Sequence, residues 1–156
     1  MGETTTDARG TASPLWQTTV GADPAFLLAR ANALSLADAT ASLEPYGLKV
    51  RSYSVLALAV ADARPTQREL SEFLRLDPSQ IVSLLDDLEQ RGWVRREPDP
   101  RDRRVNVVVA TASGRAACAQ AREAVDADQR AHFSVLDDDE FQTLTGLLRR
   151  LAGVDQ

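Results

Sequence analysis

A mainly α fold with one small β-hairpin, an α+β arrangement, is what the sequence predicts, on three observations. The 156-residue chain is rich in Ala and Leu and only 5% aromatic, which favours helices over a β-sandwich. Helix-start signals recur along it, each a Thr or Asp followed by Pro or, three residues on, by Glu or Gln. One run of β-branched residues at period two, Val105, Val107 and Val109, follows a break rich in Pro and Arg and reads as the return strand of a hairpin.

The elements follow in order. Residues 1–22 are Thr-, Ala- and Gly-rich without a sustained period and read as a flexible tail. Trp16 interrupts it. The residue either anchors the tail on the body, folds onto a partner subunit, or stays partly exposed. The N-terminus lacks the basic start and apolar middle of a signal peptide. No apolar run approaches the ~18–20 residues of a membrane span, so a soluble, cytoplasmic protein with no membrane contact is expected. Asp23-Pro24 opens a first helix to about Leu43, with Phe26, Leu27, Ala33, Leu34, Ala37 and Ala41 on a broad apolar face. Gly47 marks the break. A second helix begins near Arg51 or Ser52, carries Tyr53, Leu56, Ala57 and Val60 at helical spacing, and ends before Arg64-Pro65.

The stretch from Thr66 to Arg104 carries the most information. Thr66 and Glu69 form a capping box for a short third helix with a buried stripe of Leu70, Phe73 and Leu74. After a turn at Arg75-Leu76, Asp77-Pro78-Ser79-Gln80 caps a fourth helix, whose Ile81, Leu84, Leu85 and Leu88 point inward. Gly92 stops it in a left-handed conformation. Trp93 to Glu97 read as a strand, Pro98-Asp99-Pro100 breaks the ladder, and the return strand follows. Two short helices, a tight turn and a hairpin with a basic tip outline a winged helix-turn-helix, a device that places one helix in the major groove of DNA and a hairpin beside it. Thr111 caps a fifth helix to about Phe133. Asp137 and Glu140 cap a sixth, with Phe141, Leu144, Leu147, Leu148 and Leu151 as its stripe. Asp137 to Asp139 suit the positive end of that helix dipole better than a metal.

The net charge is −5, which by itself argues against nucleic acid. Its distribution argues otherwise. From Arg91 to Arg104 there are six arginines against Glu97, Asp99 and Asp102, a local balance of 6 − 3 = +3. One cysteine, Cys118, excludes a disulfide within the chain. It reads as a buried thiol, with a redox sensor or an intermolecular pair as the alternatives. His132 reads as a surface or packed imidazole near a helix end, with a ligand-facing or pH-responsive role as the alternative. One His and one Cys far apart make no zinc site within a subunit. No Ser/His/Asp set and no glycine-rich phosphate loop is present, so neither an enzyme nor a cofactor is expected.

The segments TQRELSEFLRLDPSQIVSLLDDLEQRGWVRREPDPRDRR and ATASGR, at this order and spacing, resemble the MarR family of bacterial transcriptional regulators over about Pro24 to Leu151. The resemblance implies one domain over 23–156. Helices within 23–49 and 112–156 interlock as a dimerisation region, and 50–111 form the winged DNA-binding lobe. It implies a homodimer on a near-palindromic double-stranded operator. It further implies a repressor released by a small, often aromatic or phenolic, effector held between the dimer helices and the lobe. Tyr46 and Tyr53 are the candidate walls of that cleft, or ordinary core.

By its position the fourth helix would enter the major groove with its N-terminal end, where backbone N–H groups favour a phosphate. Pro78, Ser79, Gln80, Val82, Ser83 and Asp86 are the outward positions. Gln80 can pair with adenine and Val82 can touch a thymine methyl. Arg101, Arg103 and Arg104 suit a narrow minor groove, Asp102 shapes the wing by pairing with Arg104, and Arg68 and Arg75 are candidate phosphate contacts. The chain departs from the family where Arg75 replaces a common Gly, where Val82 and Ser83 stand for Thr and Arg, and where Asp87 replaces Arg. A left-handed Arg75 would cost on the order of 1 kcal/mol, so the turn either accepts that strain or takes another geometry, with Arg75 free to meet a phosphate. The acidic fourth helix also leaves open a winged module that binds protein instead of DNA.

Overall fold

The computed structural model describes residues 13–154. The chain divides into two compact units, one ending at Ala37 and the other beginning at Asp38.

In the first unit, residues 1–12 of the expected tail lie outside the described residues. Residues 13–22 do not continue as a featureless tail but open with a 3-10 turn, Pro14–Gln17. Trp16 lies 6.3 Å from Phe26, ring centroid to centroid, with the Arg30 guanidinium 5.0 Å over its ring. Ring–ring and cation–π contacts therefore hold the turn against the start of helix α1 (Pro24–Leu43). Asp23 Oδ1 accepts from the Phe26 N–H at 2.8 Å, satisfying one of the orphan donors of that helix end.

The second unit begins in the last turns of α1. A 3-10 turn, Glu44–Tyr46, ends at Gly47 with φ 63°. Then come α2 (Val50–Val60), α3 (Gln67–Leu74), α4 (Pro78–Gln90), β1 (Val94–Pro98), β2 (Asn106–Ala110), α5 (Ala112–His132) and α6 (Asp138–Leu151). Reciprocal capping boxes start three of the helices. Thr66 Oγ1 accepts from Glu69 N at 3.1 Å and Glu69 Oε2 from Thr66 N at 2.7 Å. Asp77 with Gln80 and Asp137 with Glu140 repeat the arrangement.

The turn between α3 and α4 takes the first of the two geometries open to it. Arg75 takes the left-handed conformation, φ 54° and ψ 40°, rather than another geometry. Local hydrogen bonds impose it: the N–H groups of Arg75 and Leu76 both reach Ser71 O, and Ser71 Oγ donates to Leu76 O at 2.7 Å. The helix end is closed in the manner glycine usually serves, and the strain of a side chain there is accepted.

The core joins α2, α3, α4, α5 and the hairpin. Leu43, Val55, Leu56, Leu70, Ile81, Leu85, Leu88, Val94 and Val108 are essentially inaccessible, each contributing roughly 1.5–3 kcal/mol by burial. Leu84 is half-buried at its edge. Phe73 corrects the expected stripe of α3: it is 72% exposed. Leu70 and Leu74, one turn apart, fill the narrow strip that α4 and β2 leave to so short a helix, and Phe73 falls beside it.

β1 and β2 pair antiparallel with Val94 opposite Ala110, Arg96 opposite Val108 and Glu97 opposite Val107. Val107 to Ala110 are all buried, so both faces of β2 are covered rather than one. Its outer neighbour is the end of the α2–α3 connection, where Val108 N donates to Pro65 O at 2.8 Å and Thr66 bridges to Val107. Val105, expected in this strand, precedes it and is exposed. α6 contains no buried residue. Its apolar stripe lies open, with Phe141, Leu147 and Leu151 at 42%, 49% and 76% exposure.

Candidate nucleic-acid interface

Helix α3, the Arg75 turn and α4 form a helix-turn-helix, and Gly92 directs the chain from α4 into the hairpin. Its φ of 69° accompanies a closed helix end, with Trp93 N donating to Leu88 O and Gly92 N to Glu89 O, both at 2.9 Å. Pro78, Ser79, Gln80, Val82, Ser83 and Asp86 are all solvent-exposed. Several are already engaged. Gln80 Oε1 accepts from Asp77 N at 3.3 Å, which leaves its amide N–H groups free to donate. Ser79 Oγ donates to Asp77 Oδ1 at 2.7 Å and Ser83 Oγ to Ser79 O at 3.1 Å. The Ser79 hydroxyl, then the Ser79 N–H, hold the Asp77 carboxyl below its usual range.

The wing tip is built from its own acids. Asp99 N donates to Val105 O at 2.8 Å and Val105 N to Asp102 O at 3.0 Å. Asp99 Oδ1 accepts from Arg101 N at 2.9 Å. Asp102 Oδ1 accepts from Arg104 N at 3.1 Å and Arg104 Nε at 3.0 Å, and Oδ2 from Arg104 Nη2 at 3.0 Å. The Arg104 guanidinium and then its backbone N–H keep Asp102 well ionised, and the Arg101 N–H does the same for Asp99.

The local excess of positive charge is less free than the sequence suggests. Arg91 pairs with Asp87, Arg95 with Glu97, Arg96 with Asp86 and Glu89, Arg101 with Asp99, and Arg104 with Asp102. Arg103 is exposed and has no ion pair among the described residues. The same pairs neutralise the acids of α4. Arg68 is exposed and bonded to Glu72 at 2.8 Å, and Arg75 is exposed at the turn. Sequence reasoning missed Arg96, whose partners lie seven and ten residues earlier across the α4–β1 turn. The available signal was Asp86 and Glu89, three residues apart and so on one face of the fourth helix, in need of a cation.

The candidate effector residues lie elsewhere. Tyr46 and Tyr53 are half-buried against the core. Burial, then the neighbouring Cys118 and Asp126, push the Tyr53 hydroxyl up, with Arg122 opposing. Neither the ~410 Å³ cleft at the α5–α6 corner nor the ~570 Å³ cleft at the first unit's 3-10 turn is lined by these tyrosines. Cys118 is 5% exposed, and burial pushes its thiol up against a smaller opposing effect of Arg122. Both facts oppose thiolate formation. His132 Nδ1 lies 3.3 Å from Asp38 Oδ2, with its ring on the edge of Phe133. Among the described residues no His, Cys, Asp and Glu side chains group as a metal site, and no helix is long and apolar enough to cross a membrane.

Capped α3 and α4, the left-handed turn and the Arg-tipped hairpin define a winged helix-turn-helix protein. The chain belongs to the MarR family of transcriptional regulators, whose members are not enzymes. A model described as MarR family matches residues 46–105. The multiple antibiotic resistance protein MarR of Escherichia coli is 33% identical over 110 residues, 70% of this chain and 76% of that protein. The crystal structure of CouR from Rhodococcus jostii RHA1 bound to p-coumaroyl-CoA superposes with a TM-score of 0.82 at 40% identity, covering 86% of this chain and 95% of that one. A transcriptional repressor CouR bound to a 23-mer DNA duplex superposes with a TM-score of 0.80 at 28% identity, covering 90% and 99%.

Proposed function

We propose that the chain acts as a homodimeric, sequence-specific DNA-binding repressor whose operator complex is dissolved by a small aromatic effector. The observation that carries the reading is the exposed N-terminal face of α4 in a lobe whose hairpin tip bears Arg101, Arg103 and Arg104, all solvent-exposed. The helix end offers backbone donors and a favourable dipole to a phosphate, and the tip supplies cations suited to the minor groove. The CouR–duplex complex supports the same use of the same fold. Each unit by itself exposes an apolar face, the open stripe of α6 in the second and Phe26, Leu27, Leu28, Leu34 and Leu36 of α1 in the first, and each supports self-association, since exposed apolar patches mark interaction sites. The pairing of a CouR structure with p-coumaroyl-CoA makes a phenolic acyl-CoA thioester the first effector to test, with Tyr46 and Tyr53 as candidate cleft walls.

The experiment is recovery of bound genomic fragments with the purified protein, followed by release with p-coumaroyl-CoA. Enrichment of one near-palindromic sequence, protected as two half-sites and released by the thioester, is expected. Failure to enrich any fragment at low salt contradicts DNA binding. Enrichment without release contradicts the effector class alone.

A further inference from the structure

Asp86 follows Ser79 by seven residues and Ser83 by three, so its carboxylate lies on the face of α4 that the DNA-binding reading turns towards the duplex. An ionised carboxylate there repels phosphate. Arg96, on β1, reaches back under this face. Its Nη2 is 2.6 Å from Asp86 Oδ1, its Nη1 bonds Glu89 Oε2, and its backbone N–H donates to Glu89 Oε1 at 3.1 Å. The side chain of Arg96 is 20% exposed and that of Asp86 61%. The cation thus lies beneath and the carboxylate outside, a placement unsuited to direct contact with phosphate. Arg96 Nε is buried without a hydrogen-bond partner, so the two carboxylates, not full satisfaction of the guanidinium, set where it lies. Burial works against the charge, but Asp86 and Glu89 outweigh it and hold the guanidinium above its ordinary value.

We propose that Arg96 is a positioning residue for DNA recognition: an internal counter-ion that neutralises the acidic face of α4. This rests on the DNA-binding reading. Arg91 does the same for Asp87 on the flank of the helix, 3.0 Å away, but is itself exposed at the helix end.

The test measures affinity and its salt dependence on a short duplex selected by the unaltered protein from a random-sequence pool. Arg96→Ala is expected to bind at least about tenfold more weakly, as two uncompensated carboxylates meet phosphate. Adding Asp86→Asn and Glu89→Gln to it is expected to restore affinity to within about threefold, with the salt slope of the unaltered protein, because no phosphate contact has been removed. Asp86→Asn with Glu89→Gln on their own, Arg96 retained, are expected to tighten binding, and they keep the idea testable should Arg96→Ala fail to fold. A folded Arg96→Ala with unchanged affinity overturns the proposal. So does a triple variant no better than Arg96→Ala, or a double variant that binds more weakly. If the unaltered protein selects no duplex, the DNA-binding reading fails first and takes this proposal with it.

Discussion

The backbones of Gly114 and Trp93 touch: a β-carbon on Gly114 would stand 1.9 Å from the Trp93 carbonyl oxygen. That carbonyl also accepts from Thr111 N at 3.0 Å, so it cannot turn away without breaking the start of α5. Gly114→Ala is therefore expected to destabilise the fold by about 1–3 kcal/mol. Gly92→Ala, where no atom lies within 4 Å but φ is 69°, should cost only about 1 kcal/mol, from the left-handed backbone. Urea unfolding midpoints of the two variants check the order.

Arg75 allows a stability effect and a binding effect to be separated. Its left-handed backbone predicts that Arg75→Gly raises stability by up to about 1 kcal/mol. The same change removes an exposed cation at the turn, so DNA affinity should fall and the salt slope should shrink by about 0.9 if it meets a phosphate. A more stable variant with an unchanged slope removes Arg75 from the interface.

The caps make the lobe acid-sensitive. Glu69 is held below its ordinary range by the Thr66 N–H and then its hydroxyl, and Glu97 by Arg95 and Arg64. Asp77, Asp99 and Asp102 are depressed as well. A carboxyl whose folded pKa lies below its unfolded value adds stability above that unfolded value, and the contribution is lost as pH falls through the folded one. Thermal midpoints should therefore hold from neutrality to about pH 5 and decline below about pH 4, where free Asp and Glu titrate. Thr66→Ala should cost about 1 kcal/mol at neutral pH and flatten part of that decline.

Burial of Cys118 predicts an inert thiol. Alkylation by iodoacetamide should be much slower in the folded protein than in urea, and Cys118→Ser should leave DNA binding and its response to peroxide unchanged. Loss of a peroxide response in that variant would instead establish a thiol sensor.

The sequence announces what depends on neighbours along the chain. Thr66 with Glu69, Asp77 with Gln80, and Asp137 with Glu140 mark helix starts because the bonds they make span three residues. Gly92 marks a stop because its backbone must turn left-handed. What depends on packing is hidden. Helical spacing groups Phe73 with Leu70, but only the partner elements decide how wide the buried strip is. Val107 to Ala110 alternate in direction, yet a chain segment on each side of β2 and helices beside it bury both faces. The left-handed Arg75 follows from Ser71 making three hydrogen bonds to the turn, which no residue-type rule contains. The free charge of the wing is the clearest case: six arginines can be counted, but that five of them pair with acids, and that Arg96 folds back across the α4–β1 turn onto Asp86 and Glu89, depends on side-chain placement that a charge count does not contain.

Contact between the wing and DNA is read from affinity titrations against salt of a variant that combines Arg103→Ala with Arg104→Ala. Arg103 is free of ion pairs among the described residues, while Arg104 is shared with Asp102. The double variant should stay folded, bind its selected duplex more weakly, and lose about 1.8 from the salt slope, two contacts at ~0.9 each. An unchanged affinity and slope in a folded double variant would exclude the wing arginines from DNA contact.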